Sequence, residues 1–123
     1  MDKLPFGLRL CKKAFRKNIH RKKVTAAYIE NGIIIIGSNT KKTHTLANTY
    51  GHRSNHTHAE LDVLRYVKDG SKGKLYIYRE KMDGTNTYGM ARPCQHCMRL
   101  LIDKGIRTII YTTDRGYCLE KIV

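Results

Sequence analysis

His58-Ala59-Glu60 and Pro93-Cys94-Gln95-His96-Cys97 are the two stretches of this sequence that decide its fold. Each stands where an apolar helical pattern begins, and each follows a polar loop. The two cysteines are three residues apart, so a helix presents both on one face, and its positive N-terminal end is expected to lower the pKa of their thiols. One imidazole and two thiolates are preferred zinc ligands, and three protein ligands leave the open coordination position typical of a catalytic site.

Glu60 lies two residues after His58 on the same predicted first turn. That spacing places its carboxylate badly for binding the same ion, but well for contacting a water held by the metal. A carboxylate there can exchange protons with the water and with a substrate nitrogen, which is the role of a general acid and base. We therefore expect Glu60 to be catalytic and His58 to be a ligand.

Two other interpretations of the cysteine pair have to be weighed. A redox-active pair is one, but thioredoxin-like pairs follow a strand in a different sequence context. A structural zinc site is the other, and it needs a fourth protein ligand. The candidate histidines are His44, His52, His56 and His96. His56 could also replace His58, whereas His96 points away from the face that the cysteines share. The His-x-Glu and Cys-x-x-Cys motifs together favour the catalytic site.

The N-terminal part of the chain predicts a basic amphipathic helix and tail over residues 8–23. Apolar residues recur there at spacings of three and four, which is one helix face. These residues are Leu8, Cys11, Phe15 and Ile19. The opposite face and the tail carry eight lysines and arginines, and no acidic residue falls between Asp2 and Glu30. We expect this surface either to be a solvated helix face or to bind a polyanion.

The remaining elements follow from hydrophobic periodicity and turn residues. Residues 24–30 and 33–38 predict a β-hairpin around Asn31-Gly32, and residues 39–57 a long polar loop. The later pattern predicts a helix over 58–68, a strand over 75–78, a polar loop over 80–92, a helix over 94–104, a strand over 107–113, a three-residue loop over 114–116 and a strand over 117–123. The inward side chains of the last helix are predicted to be Met98, Leu101 and Ile102. This order predicts a mixed sheet with helices on both faces.

Length and composition favour one α/β domain, residues 1–123, because 41% hydrophobic residues suffice for a packed core. No apolar run is long enough to span a membrane, so we expect no membrane contact and a cytoplasmic protein. In that compartment a close Cys-x-x-Cys more often binds metal or is redox-active, while Cys11 and Cys118 are expected to be buried apolar groups. The formal net charge of +14 favours a polyanionic partner.

With His-x-Glu followed by Pro-Cys-x-x-Cys, the chain resembles the cytidine deaminase-like superfamily, whose zinc deaminases share that signature. The resemblance covers most of the chain, since the order of elements also matches. It implies a three-layer α/β fold with a mixed sheet of about five strands. It also implies that His58, Cys94 and Cys97 bind one Zn²⁺. Glu60 would carry protons while hydroxide attacks the carbon that bears the amino group and ammonia leaves.

The resemblance implies substrate contacts as well. The Ala59 amide and the backbone near Ala91 would contact the base. Gly37-Ser38-Asn39 is similar to the segment at which family members contact the sugar, which makes Asn39 the sugar-binding candidate, and the wider stretch resembles CMP/dCMP-type deaminases. Only ten residues follow Thr113, too few for a helical crossover, so we expect a C-terminal antiparallel hairpin. Family members are often oligomers, which makes a homo-oligomer a candidate state.

Three functions fit these observations. The first is deamination of cytosine to uracil in single-stranded DNA or RNA, with cations on the phosphates and tyrosines stacked on bases. The phosphate candidates are Arg9, Lys12, Lys13, Arg16, Lys17 and Arg92, and the stacking candidates are Tyr50, Tyr78, Tyr88 and Tyr117. The second is deamination of free (deoxy)cytidylate or cytidine. The third is a non-catalytic, zinc-stabilised nucleic-acid-binding module, against which the presence of Glu60 argues.

Overall fold

The computed structural model describes residues 4–16, 24–39, 58–81 and 87–122. Within them the chain forms helix α1 (Phe6–Phe15), strands β1 (Thr25–Glu30) and β2 (Ile33–Ser38), helix α2 (Ala59–Leu64), strand β3 (Lys74–Tyr78), helix α3 (Gln95–Asp103) and strands β4 (Thr108–Thr113) and β5 (Gly116–Lys121). This is the predicted order of elements. The predicted tail after α1 and nearly all of the predicted loop 39–57 lie outside the described residues.

The five strands form one sheet in the order β2-β1-β3-β4-β5. Strands β3 and β4 are parallel, and every other neighbouring pair is antiparallel. A parallel pair needs a crossover connection, and α3 provides it. Strands β4 and β5 form the predicted C-terminal hairpin. The prediction of a mixed five-stranded α/β fold is confirmed.

The turn between β1 and β2 has the backbone that its sequence predicts. Asn31 and Gly32 both have positive φ, at 39° and 84°. A two-residue hairpin turn of this kind needs positive φ at both central positions, which Asn and Gly adopt most easily. The turn pairs Glu30 with Ile33 and so sets the register of the whole hairpin.

Helices cover both faces of the sheet, as predicted. On one face, here called the α2/α3 face, the two later helices pack on the strands through fully buried residues such as Leu61, Leu64, Leu100 and Leu101. On the other, the α1 face, the first helix packs through Leu8, Cys11 and Phe15 against Ala27, Tyr78 and Ile110. Strand side chains alternate between these faces, so Ile77 lies in the first core and Tyr78 in the second.

Helix α2 is shorter than predicted, since it ends at Leu64 and not near residue 68. The amides of Tyr66 and Val67 bond to the carbonyls of Val63 and Leu64, three residues back, at 3.2 and 3.0 Å. Bonds of this spacing tighten the chain into a narrower turn and terminate the α-helix. Val67 remains buried after the turn.

One predicted core position of α3 is wrong. Ile102 is 48% exposed, whereas Leu100 and Leu101 are fully buried with Cys97. The buried residues are three and four positions after Cys97, so the face of α3 that packs inward is the face that carries this cysteine. Met98 is half-buried and packs at the margin of the same core.

The turn between β4 and β5 also differs from the prediction. Thr113 pairs with Gly116, so the loop contains two residues, Asp114 and Arg115, and not three. Gly116 has a φ of 137° and is the first residue of β5, so the glycine serves the strand and not the loop. The Arg115 amide donates to the Thr113 hydroxyl at 3.2 Å, which supports the tighter turn.

The register brings several strand ends to one edge of the sheet. Thr25, at the start of β1, lies opposite Ser38 on one side and Tyr78 on the other. Because β4 runs parallel to β3, Thr113 ends at this edge too, and β5 begins there with Gly116. We call this the C-terminal edge, after the ends of β3 and β4. In the parts of the chain that the structure describes, no helix has the length and apolar character to cross a membrane.

Candidate metal centre

Three side chains from the starts of two helices converge at the C-terminal edge. The Nδ1 atom of His58 lies 3.3 Å from the Cys97 Sγ and 3.8 Å from the Cys94 Sγ. The three ligand atoms all lie within 4.8 Å of one another. Among the described residues no other set of three histidines, cysteines or carboxylates comes together in this way. The structure thus brings together the three residues that the sequence predicts as ligands.

The backbone just outside each helix presents two of these ligands, and the first turn of α3 presents the third, Cys97. His58 is the N-cap residue of α2 and Cys94 the N-cap residue of α3, both in extended conformation. The Cys94 Sγ accepts the amide N–H of Cys97 at 3.5 Å, which satisfies one of the first-turn donors that an α-helix leaves unpaired. The same turn of helix brings Cys97 back over Cys94, so the cap and the metal ligand pair are one structure.

The ligand spacing fits zinc. Tetrahedral zinc with Zn–N near 2.05 Å and Zn–S near 2.3 Å separates a nitrogen from a sulfur ligand by about 3.6 Å. The two nitrogen–sulfur distances at this site, 3.3 and 3.8 Å, lie on either side of that value. One imidazole and two thiolates are also the donor types that favour zinc over calcium or magnesium. His58, Cys94 and Cys97 could therefore hold a zinc ion.

The thiols and the imidazole influence one another's ionisation. The pKa of the Cys97 thiol is raised above its ordinary value, first by its contact with Cys94 and then by burial. The pKa of the His58 imidazole is raised as well, chiefly by its contact with Cys94. The expected lowering of the thiol pKa by the helix N-terminus is thus outweighed at Cys97. A divalent cation supplies the charge that keeps two neighbouring sulfurs deprotonated, which suits this donor set to a metal.

Glu60 lies beside the ligands but does not belong to their set. Its side chain is only 5% exposed, and no other carboxylate in the described part of the chain is buried to that degree. Burial raises the pKa of its carboxyl, while the neighbouring His58 charge and a contact with Cys97 act in the opposite direction. A buried carboxylate costs folding energy, so its place next to a metal site marks it as a functional candidate.

One residue that the sequence did not single out, Asp62, holds α2 against the sheet. The Asp62 Oδ2 atom accepts the backbone N–H of Ser38 at 3.1 Å, and its other oxygen pairs with Arg65. Gly37 allows this approach, because a Cβ there would lie 2.6 Å from the Asp62 oxygen and 2.9 Å from Val63. An Asp in a first helical turn is common, so the sequence offered no signal for this contact beyond the ordinary preference for acids at helix N-termini.

A second unpredicted residue, Thr112, organises the segment that leads into α3. Its hydroxyl donates to the Gly89 carbonyl at 2.8 Å and accepts the Arg79 N–H at 3.1 Å. Its carbonyl accepts the Ala91 N–H at 3.0 Å. Thr112 is fully buried, so these bonds are shielded from water. They hold residues 89–91 against the end of β4, just before Cys94.

The candidate substrate contacts lie on three different segments of the chain. Ala59 is buried at the first position of α2, where helix amides have no partner within the helix. Ala91 is buried on the segment held by Thr112, and its own N–H is used in that contact. Asn39 follows β2 at the same edge, where its Oδ1 accepts the Val24 N–H at 2.9 Å and its own N–H donates to the Val24 carbonyl. Asn39 therefore closes the open end of the β1–β2 hairpin.

The structure does not bring the basic candidates together with the metal ligands. Arg9, Lys12, Lys13 and Arg16 belong to α1 or its end and so lie on the opposite face of the sheet. Lys17 lies outside the described residues. Arg92 is near the metal ligands in sequence, but it forms a two-bond ion pair with Glu120, with both bonds at 3.0 Å. Tyr111 donates to the same carboxylate at 2.9 Å.

Comparisons with known proteins agree with this geometry. The family model described as the cytidine and deoxycytidylate deaminase zinc-binding region matches residues 4–113. A solved structure, cytidine deaminase from Mycobacterium leprae, is similar at 19% sequence identity with a TM-score of 0.55, over 91% of this chain and 88% of that chain. The structural likeness shows the fold. No curated protein sequence gives a match. Because the family match spans most of the sequence and includes every residue of the candidate metal centre, the chain belongs to the cytidine and deoxycytidylate deaminase zinc-binding family.

Proposed function

We propose that this protein is a zinc-dependent hydrolytic deaminase that converts cytosine to uracil. The observation that carries the proposal is the convergence of one imidazole and two thiols beside a buried carboxylate. Three protein ligands leave a coordination position for water, and the carboxylate has no place in the ligand set. A structural zinc site would need a fourth protein ligand, and the described residues offer none within the cluster.

Each residue of the centre has one role in this proposal. His58, Cys94 and Cys97 hold the zinc, which when bound supplies a Lewis acid that lowers the pKa of water. Glu60 takes a proton from the attacking water and delivers protons to the ring nitrogen and to the leaving amine. A C–O bond forms at the carbon that carries the amino group, the C–N bond breaks, and ammonia leaves. Burial keeps bulk water from competing for the Glu60 carboxyl.

Backbone groups position the base and the sugar in this proposal. The Ala59 N–H points from a helix start, where it is a donor without an intrahelical partner, and it would bond to the base. The segment around Ala91 would contact the base from the other side, since its hydrogen bonds to Thr112 hold it rigidly before α3. Asn39 would contact the sugar from the end of β2, where the bond to Val24 fixes its side chain.

We propose single-stranded DNA or RNA as the substrate. The net charge of +14 supports this choice, because cations that bind many phosphates release many counterions. Arg9, Lys13 and Arg16 are exposed on α1, and among the described residues none of them pairs with a carboxylate. Free deoxycytidylate or cytidine is the second candidate, which the description of the matched family favours. A non-catalytic binding module gives no role to the buried Glu60.

The test is to offer the zinc-loaded protein dCMP, cytidine and single-stranded DNA and RNA with one cytosine each, and to identify the products by mass. We expect loss of ammonia from the cytosine of the oligonucleotide, at a rate that falls steeply as salt rises. Glu60→Gln should keep zinc and lose about 100- to 10,000-fold in turnover, the usual contribution of general acid–base catalysis. Glu30→Gln, the same change at the far end of β1, is the matched control. Turnover of dCMP without turnover of any oligonucleotide would exclude the polymer, and full activity of Glu60→Gln would exclude the mechanism.

A further inference from the structure

A cavity of about 280 Å³ lies on the α1 face of the sheet, at the C-terminal edge. Four separate parts of the chain form it: the end of α1, the end of β3 with Glu80 beyond it, residues 87–88, and the β4–β5 turn. The metal ligands lie beyond the sheet, on the α2/α3 face. The volume is near the lower end for small-molecule sites, about 300 Å³, so the cavity has room for a single small ligand.

The charged lining of this cavity favours an anion. Lys12, Arg16 and Arg115 contribute three cations. The lining also holds two carboxylates, so the cations exceed them by one. Glu80 accepts the hydroxyl of Tyr78, another lining residue, at 2.7 Å, and Asp114 lies 3.9 Å from the Lys81 ammonium. In the described parts of the chain, by contrast, no carboxylate lies within ion-pair distance of the three cations.

An aromatic wall stands beside these cations. The half-buried ring of Tyr88 lines the cavity and meets the ring of Tyr78 edge to face, with centroids 5.8 Å apart and planes at 71°. Tyr78 is in turn fixed by an edge-to-face contact with Phe15 of α1, at 5.4 Å. A supported aromatic ring next to two guanidinium groups and an ammonium is the combination that binds a planar base and a phosphate together.

We propose that this cavity binds one nucleotide, with its phosphate against Lys12, Arg16 and Arg115 and its base against Tyr88, separately from the base that reacts beside Glu60. The inference rests on the proposed function in one respect: the nucleotide is taken to belong to the substrate strand. A free nucleotide offers the same phosphate and ring, and the experiment below separates these two sources.

The path between the two sites is short enough for one strand. Residues 88 to 94 connect the wall of the cavity to the first metal ligand of α3, and six residues extend at most about 20 Å. Part of that segment is fixed at the sheet edge by Thr112. A stacked strand advances about 3.4 Å per nucleotide, so the cavity lies within roughly six nucleotides of the reacting base. A strand would reach it by crossing the C-terminal edge from one face of the sheet to the other.

The first measurement is the affinity of the zinc-loaded protein for AMP, a nucleotide without cytosine, by titration calorimetry at low salt. Arg115→Glu should weaken AMP binding by about 10-fold or more, since hydrogen bonds to charged groups contribute at that level. Tyr88→Ala should weaken it by about 5- to 100-fold, with recovery in Tyr88→Phe, which keeps the ring. Lys72→Glu, an exposed cation before β3 at the opposite end of the sheet, is the charge-matched control. Equal AMP affinity in wild type, Arg115→Glu and Tyr88→Ala would overturn the proposal.

The second measurement identifies the source of the nucleotide. Oligonucleotides with a single cytosine are lengthened one nucleotide at a time on each side, and kcat/KM is measured at fixed salt. If the strand fills the cavity, kcat/KM rises in a step within about six nucleotides on one side, and Arg115→Glu removes the step while Lys72→Glu keeps it. If AMP binding depends on Arg115 and Tyr88 but no oligonucleotide is turned over, the cavity is a site for a free nucleotide. The polymer substrate is then rejected. A step that Arg115→Glu leaves intact would overturn the strand assignment.

Discussion

The two faces of the sheet carry two different kinds of site at the same C-terminal edge. On the α2/α3 face, residues at the starts of two helices form a compact centre. Its three ligand atoms lie within 4.8 Å of each other, with Cys97 buried, His58 half-buried and Cys94 exposed. On the α1 face, four segments far apart in sequence form an open, charged cavity around a tyrosine pair. The first site depends on local backbone geometry, and the second on how the whole sheet packs. The two should therefore respond differently to the same kind of substitution.

The largest difference is expected between two buried cysteines. Cys97→Ala removes a proposed metal ligand, so we expect the protein to lose stoichiometric zinc and at least about 1000-fold in turnover, because a catalytic metal contributes several kcal/mol to the transition state. Cys11→Ala removes the same atoms from the α1 face, where burial raises the thiol pKa to about 12 and leaves it chemically inert.

Zinc content by atomic emission and turnover on the best substrate are the measurements for both cysteine variants. Cys11→Ala should retain zinc and activity and lose about 1 kcal/mol of stability, the usual cost of a small cavity. Unchanged zinc binding in Cys97→Ala would contradict the proposed ligand set of His58, Cys94 and Cys97. Loss of zinc in Cys11→Ala would show that the two faces of the sheet are not independent.

Contacts between residues close in sequence could be predicted from local geometry, whereas contacts between distant elements could not. The pairing of Cys94 with Cys97 was predicted because helix spacing brings residues three apart onto one face, and the hairpin at residues 31–32 because φ preferences are local. The joining of that pair with His58 and Glu60 was predicted from the two motifs together and from the family resemblance that they carry. The contacts of Asp62 and Thr112 were not predicted, because each joins elements distant in sequence through one common side chain.

The errors have the same physical origin. Ile102 was expected to be buried, because an apolar residue near the end of an amphipathic pattern does not reveal which of two adjacent faces packs inward. The separation of the α1 cations from the metal ligands was likewise invisible in the sequence, since it depends on the face of the sheet that α1 covers. The cavity on that face could not be predicted at all, because its lining comes together only through the strand register.

A smaller difference is expected between alanine substitutions at two glycines, Gly37 and Gly7, each of which allows a helix to approach the sheet. A Cβ at Gly37 would lie 2.6 Å from the Asp62 carboxylate on the α2/α3 face, and one at Gly7 would lie 2.3 Å from the Tyr76 ring on the α1 face. Overpacking of this kind costs about 1–3 kcal/mol, and at Gly7 the better helix propensity of alanine offsets up to about 1 kcal/mol.

Urea denaturation of Gly37→Ala and Gly7→Ala, with zinc affinity measured alongside, tests this pair. We expect both to be destabilised, but only Gly37→Ala to bind zinc more weakly, because Asp62 sits in the helix whose start carries His58. Equal zinc affinity in the two variants would mean that α2 tolerates displacement without moving its ligand.

The smallest effect is expected at the exposed ion pair of Arg92 and Glu120. Arg92 precedes the metal-binding segment and pairs with Glu120 on β5, and this guanidinium, with the Tyr111 hydroxyl, holds the pKa of the Glu120 carboxyl below its usual range. Because the pKa is lowered in the folded state, the stabilisation is fully present above the unfolded value of about 4.3 and is lost as pH falls through the lower folded value. The Arg92 side chain is exposed, so solvent screening keeps the contribution of the pair small. Glu120→Gln should therefore lower the free energy of unfolding only slightly at pH 7, and by less at pH 3, as measured by denaturation at both pH values. A loss of several kcal/mol in the free energy of unfolding at pH 7 would instead show that this ion pair supports the metal centre. A loss of the same size at pH 3 would show that packing and not charge is responsible.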